Sequence, residues 1–162
     1  VRIGVGHDSR ITADVLKDAV LSGITSTGAS GYDCGLVSTP SMFMTTVFPE
    51  FAFTGSIMIT ASHLPFNRNG LKFFDVNGGL EHQDIDALLG EAQTLIPGER
   101  APGRILQVNS LDVYCNHLRT KIIEGVGGGS QPLSGLHVVV DAAQRHPSEE
   151  DEAARMRVEH HL

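Results

Sequence analysis

The chain has 162 residues, 41% of them apolar, and a formal net charge of −7, which is enough to bury one real core and fits one domain plus an appendage. An acidic chain without a basic patch argues against nucleic acid or an anionic membrane as partners. No stretch reaches the roughly 18 to 20 apolar residues of a membrane span, and no signal peptide is visible.

Taken in chain order, Val1 to Gly6 reads as a short apolar strand. His7-Asp8-Ser9-Arg10 follows, then a helical pattern from Thr12 to about Thr27 with Val15, Leu16, Ala19, Val20 and Ile24 as its apolar face. Strand, turn and helix in that order make an anion site at a helix N-terminus feasible. Gly4-Val5-Gly6 lacks the third glycine of a dinucleotide fingerprint and the lysine of a phosphate loop, so alone it decides nothing. Tyr32 to Gly35 reads as a second strand, and Leu36-Val37-Ser38-Thr39-Pro40 opens a helix running to about Phe51, with Thr39 as cap and Pro40 in its first turn. Met42, Phe43, Met44, Val47 and Phe48 are expected core.

Gly55 to Ile59 reads as a buried strand and Leu71 to Phe74 as another, with Thr60-Ala61-Ser62-His63-Leu64-Pro65-Phe66-Asn67-Arg68-Asn69-Gly70 between them. Pro65 and the Asn69-Gly70 pair predict a shaped loop, the pair with positive φ. Backbone N–H groups leaving the strand at Ser62 and His63 can face an anion, and Lys72 returns a cation ten residues after Ser62. A Gly78-Gly79 turn precedes a third amphipathic helix, Glu81 to Ile96, carrying Ile85, Leu88, Leu89, Ala92 and Leu95. Alternating strands and helices through residue 96 argue for an α/β sandwich with a mostly parallel sheet. Pro97 to Gly103 is a linker by composition, Leu111 to Val126 a helix, and Gly127 to Pro132 a flexible joint. Leu136 to Ala143 begins a new buried strand, and residues 144–162 form an acidic, charged tail. Cys34 and Cys115 form no Cys-x-x-Cys and read as buried free thiols of a reducing compartment. The eight histidines show no zinc-ligand spacing.

Three readings of the Ser62 loop compete. An ordinary hairpin or crossover with a surface serine needs only Asn-Gly. A serine hydrolase elbow wants Gly-x-Ser-x-Gly, whereas Ala61 and His63 flank Ser62. The third is a phosphoserine loop, because Thr60, Ala61, Ser62, His63, Pro65, Asn69, Gly70 and Lys72 are identical to the signature Thr-Ala-Ser-His-Asn-Pro…Asn-Gly-x-Lys. That signature belongs to the α-D-phosphohexomutases, the phosphoglucomutase and phosphomannomutase superfamily, which the chain resembles. Leu64 departs from the commonest asparagine and marks a branch of that family.

The resemblance implies a three-layer α/β/α sandwich with a mixed, mostly parallel sheet, as in the family's first domain. It implies that Ser62 carries the phosphoryl group, that His63 helps hold it, and that Lys72 assists proton transfer or neutralises charge. Arg10 matches the arginine that a Gly-x-Asp-x-Arg motif contributes to the family's active site and is expected to be catalytic with Ser62, His63 and Lys72; Thr60, Asn69 and Gly70 match loop positions expected to bind substrate or phosphate. A phosphoserine carries about −1.5 to −2 charge at pH 7, so cations and donors near it are physically required. Mg²⁺ is the cofactor of the intact family, reached here only through the Ser62 phosphate, and a hexose phosphate or bisphosphate is the expected partner. The family's Asp-x-Asp-x-Asp metal loop, its sugar-reading Gly-Glu-x-Ser-Gly and its Arg- and Ser-rich phosphate loop do not occur in this sequence.

The expected division is therefore residues 1–96 as a first-domain core, 97–132 as linker and connecting helix, 133–143 as the first strand of a truncated second domain, and 144–162 as a tail outside the family. On this reading the chain is a fragment, expected to bind Mg²⁺ weakly if at all and to show no turnover alone. The intact protein is expected to be a cytoplasmic isomerase, or one of an organelle such as a plastid, interconverting hexose 1- and 6-phosphates. The alternative is a non-catalytic domain that at most binds a phosphosugar or a partner domain.

Overall fold

A computed structural model describes residues 1–65, 68–94, 101–127 and 129–139. Phe66, Asn67, Leu95, Ile96, residues 97–100 of the expected linker, Gly128 of the expected joint, and everything from Val140 through the expected tail lie outside the described residues.

Among the described residues, six strands form one sheet in the order β5-β4-β3-β1-β2-β6. They are β1 (Arg2–His7), β2 (Ser30–Leu36), β3 (Gly55–Ile59), β4 (Leu71–Asp75), β5 (Gly78–Gly79) and β6 (Ile105–Gln107). β1 pairs parallel with β2 and with β3, and β2 parallel with β6. β4 runs antiparallel to β3, and β5 antiparallel to β4. The sheet is mixed and the protein is α/β, as expected.

Four helices accompany it among the described residues: α1 (Ala13–Ser26), α2 (Thr39–Val47), α3 (His82–Thr94) and α4 (Leu111–Val126). Two apolar clusters show how they are layered. Val5, Leu21 and Ile59 pack with Leu16, Val20 and Ile24 of α1 on one face of the sheet. On the other face Cys34, Val37, Met42, Phe48, Phe51, Phe53 and Met58 take in Met44 of α2 and Val113 and Tyr114 of α4. Gly6 on β1 makes the second face possible: a Cβ there would stand 2.4 Å from Val37 Cγ2 and 2.5 Å from Met42 Sδ. With no side chain at that position, α2 settles directly onto β1.

Several local expectations change. α1 keeps Leu16, Val20 and Ile24 of the expected face against the sheet and buries Ala13, Leu21 and Thr25 beside them, while Val15, at 72%, and Ala19 are exposed. α2 is capped by Ser38 and not Thr39: the Ser38 Oγ accepts from the Ser41 amide at 3.3 Å, and the helix ends at Val47, which is itself exposed. Gly78-Gly79 is not the expected turn but a short edge strand, and the turn lies just before it at Val76 and Asn77. The apolar residues of α3 are not core, since none of its residues is buried among those described. β6 lies where a structureless linker continues in the sequence, and its three residues are too few to carry an alternating pattern. Leu136–Val139 form no strand and are exposed, so the expected buried strand is absent from its described part. Both cysteines are free, but Cys115 is exposed and only Cys34 is buried.

Candidate active site

The chain leaves β1 through α1 to β2 on one side, then returns through α2 to β3 on the other side of β1. The carboxyl ends of β1 and β3 thus flank a switch point, where open α/β sheets leave a crevice for ligands. The two segments singled out in the sequence meet there. The Asp8 amide donates to Ile59 O at 3.1 Å, and the loop after β3 begins at Thr60, whose amide donates to Gly70 O at 2.9 Å. The β3–β4 ladder therefore extends one pair further, through Thr60 and Gly70.

That pairing corrects the expected turn. Asn69 and Gly70 are not among the positive-φ residues; Ser62 is, at φ 55°. Gly70 answers to proximity instead, since a Cβ on it would lie 3.0 Å from Thr60 O. A left-handed residue with a Cβ costs about 1–2 kcal/mol, so the Ser62 conformation must be held by its surroundings.

What holds it is a circuit of hydrogen bonds. The Ser62 amide donates to Thr60 Oγ1 at 3.0 Å, and the Thr60 hydroxyl donates to Asp8 Oδ2 at 2.7 Å. The same carboxylate oxygen accepts from Arg10 Nε at 3.0 Å, while Arg10 Nη2 donates back to Ser62 O at 2.6 Å. Arg10 Nη1 donates to Leu64 O, Pro65 O and Arg68 O at 2.9, 2.7 and 2.9 Å. Asp8 Oδ1 also accepts from the Arg10 amide at 3.2 Å.

Each expected site residue can now be placed. Ser62 and His63 are exposed at the carboxyl end of the sheet. Thr60 is 6% exposed and serves as a relay under the loop. Asn69 donates through its amide to Thr12 Oγ1, at the start of α1. Lys72 is exposed on β4 directly opposite Met58, and directly opposed residues share a face, which puts it on the α2 side. Arg10 is turned into the loop, its side chain only 8% exposed. Sequence reasoning gave Asp8 no role of its own. Its position two residues before that arginine, within Gly6-His7-Asp8-Ser9-Arg10, was the available signal.

Beside this site Asp33, 4% exposed at the middle of β2, accepts from the Gly35 amide and from Gln107 Nε2, both at 2.9 Å, and pairs with Lys17 Nζ at 3.1 Å. Lys17 also pairs with Asp14 at 3.2 Å. Burial works against the Asp33 charge, but the Gly35 amide, Lys17 and Gln107 outweigh it and hold the carboxyl below its ordinary range. Burial likewise opposes the Lys17 charge, and its bonds to Asp33 and Asp14 keep its pKa raised. Burial pushes the Cys34 thiol up to about 11.

No grouping of three or more His, Cys, Asp or Glu that could hold a metal occurs among the described residues. Asp8, the carboxylate nearest the loop, is committed to Arg10 and Thr60. The residues present do not by themselves fit a divalent cation. No helix among the described residues is long and apolar enough to cross a membrane.

Residues 1–94 match the family model described as phosphoglucomutase/phosphomannomutase, alpha/beta/alpha domain I. The chain belongs to the phosphoglucomutase/phosphomannomutase family. A phosphoglucosamine mutase of Corynebacterium jeikeium is 36% identical over 146 residues, covering 86% of this chain and 30% of the relative. One from Caldicellulosiruptor bescii is 33% identical over 149 residues, covering 88% and 31%. The chain thus spans under a third of the length of these relatives. The fold is shared with a phosphoglucomutase/phosphomannomutase family protein from Burkholderia thailandensis, at a TM-score of 0.65 and 22% identity over 75% of this chain and 28% of that one. In this family setting β6 and α4 lie beyond the matched residues, yet β6 completes the sheet.

Proposed function

We propose that the chain is the phosphoserine-bearing domain of a phosphohexomutase, and that the intact enzyme interconverts hexose 1-phosphate and hexose 6-phosphate by intramolecular phosphotransfer. The observation that carries this reading is the placement of Ser62: exposed, left-handed, and held at both ends of its own backbone at the carboxyl edge of β3. In the proposed cycle the bond from the Ser62 Oγ to phosphorus breaks as a bond from a sugar hydroxyl to phosphorus forms, and the sugar hydroxyl's proton passes by way of a general base to the departing Oγ, which is left as a hydroxyl. The bisphosphate then returns its other phosphoryl group to Ser62. Such a transfer asks mainly for positioning and charge stabilisation. His63 and Lys72 are the groups proposed to meet the phosphoryl charge, His63 beside Ser62 and Lys72 from β4.

Mg²⁺ belongs to the intact enzyme in this proposal, where it would neutralise phosphoryl oxygens; its carboxylate ligands would have to come from outside the described residues. The named relatives are phosphoglucosamine mutases, so glucosamine phosphate is the substrate to try first. Labelled glucose or glucosamine 1,6-bisphosphate is expected to transfer label to Ser62, and Ser62→Ala to abolish it. Equal labelling of the alanine variant would refute the assignment.

The second reading, a domain without turnover of its own, is favoured by the lack of a metal-ligating cluster among the described residues. Assaying this chain beside a length-restored protein separates the two. Turnover is expected only from the longer protein, and Mg²⁺-dependent turnover by this chain at an ordinary enzymatic rate would overturn the second reading.

A further inference from the structure

Both backbone polar groups of Ser62 lead to one ion pair. Its amide reaches Asp8 through Thr60, its carbonyl reaches Arg10 directly, and Asp8 and Arg10 close on each other at 3.0 Å. The circuit starts and ends on Ser62, which among the described residues of this loop is the one in the left-handed region.

The arginine is also heavily committed. Nε serves Asp8, the two hydrogens of Nη1 are shared among three carbonyls, and Nη2 gives at least one to Ser62 O. At least four of its five N–H groups are thus spent inside the protein. Four carbonyls converging on one point would repel one another without a cation among them. A planar fork with five donors satisfies that cage, whereas an ammonium has three donors at a single point.

We propose that Arg10 is a positioning residue: it fixes the left-handed Ser62 by gathering the loop carbonyls, and does not act as a ligand of the transferred phosphate. The functional part of this inference rests on the proposed phosphoserine role; the structural part does not. Thr60 does the same work from the amide side. The loop is consequently set before any phosphoryl group arrives, and binding need not supply the ordering free energy.

Arg10→Ala, Arg10→Lys and Thr60→Val in the full chain and in its length-restored form test this by two readouts. Amide hydrogen exchange at Ser62, Leu64 and Arg68 reports the loop; Ser62 labelling at varied bisphosphate concentration reports function. Bonds to a charged group predict exchange faster by about 10- to 100-fold in all three variants and a maximal labelling rate lower by about as much. The half-saturating bisphosphate concentration is expected to hold, and added guanidinium ion to restore Arg10→Ala in part. Wild-type exchange in Arg10→Ala together with a raised half-saturating concentration would overturn the proposal in favour of a phosphate ligand. So would an Arg10→Lys variant that labels at the wild-type rate. Should the unaltered protein take no label at all, the phosphoserine reading fails, and the exchange data still decide whether Arg10 holds the loop. Urea midpoints of the variants separate a loosened loop from an unfolded chain.

Discussion

Asp33→Asn tests the charge network beside the site most directly. The carboxylate accepts from Gly35 N, Gln107 Nε2 and Lys17 Nζ and is 4% exposed. Asparagine keeps the shape but turns one acceptor into a donor, which then faces Gln107 and Lys17, both donors themselves. Breaking a buried pair costs about 3–5 kcal/mol. Lys17 retains Asp14, a partner whose side chain is 76% exposed, so the loss is placed near the low end, about 3 kcal/mol. With a urea slope of about 2 kcal/mol/M, the midpoint should fall by about 1.5 M. The pH dependence has a definite sign. The folded pKa of Asp33 is depressed, so its contribution is full above the unfolded carboxylate value of about 3.9 and is lost as pH falls through the folded value. That of Lys17 is raised, so its contribution is full below about 10.4 and is lost as pH rises through the folded value. Urea melts from pH 2 to 7 should show a shallower acid decline in the asparagine variant than in the parent. A loss under about 1 kcal/mol, or an unchanged acid decline, refutes this account of Asp33.

Ser62→Gly removes the Cβ that makes φ 55° costly, so it is expected to raise stability by up to about 1 kcal/mol in thermal melts while abolishing labelling; a destabilised variant would mean the conformation carries no strain. Gly6→Ala must push a methyl into Val37 and Met42, and is expected to cost about 1–3 kcal/mol by urea titration. Iodoacetamide followed by mass spectrometry should modify exposed Cys115 and spare Cys34, which is buried with its thiol pushed up to about 11; rapid loss of both thiols in the native protein would contradict the packing of β2.

What could be read in advance depended on how local the cause was. β3 and α4 begin and end where the sequence places them, because the Ile57-Met58-Ile59 run bounded by Gly55-Ser56 and Thr60, and a helix closed by left-handed Gly127, carry their own boundaries. Leu21 was missed as the buried centre of α1 because Val15, Leu16, Ala19 and Val20 offer overlapping apolar stripes. Only the sheet chooses among them. β6 owes its existence to an edge of β2 and not to its own residues. The Ser62 loop was legible as a chemical motif, since residue types in a fixed spacing need no tertiary information. The work of Arg10 was not, because its acceptors are main-chain oxygens 52 to 58 residues away, and a carbonyl has no letter in a sequence.

The Asp33 bond to Gln107 spans 74 residues, and this orders events during synthesis. The strands from β1 to β5 can associate once residue 79 has left the ribosome. A growing chain at that stage has Asp33 at an open sheet edge, answered by Lys17 and Gly35 but lacking the amide that later covers it. Nonlocal contacts of this kind close late because loop entropy must first be overcome. The stretch from α3 to β6 therefore acts as a timer: until it is made, β2 is an unpaired edge able to recruit a neighbouring chain. Shortening that stretch should relieve crowding-induced association of nascent chains, and slowing translation within it should worsen it.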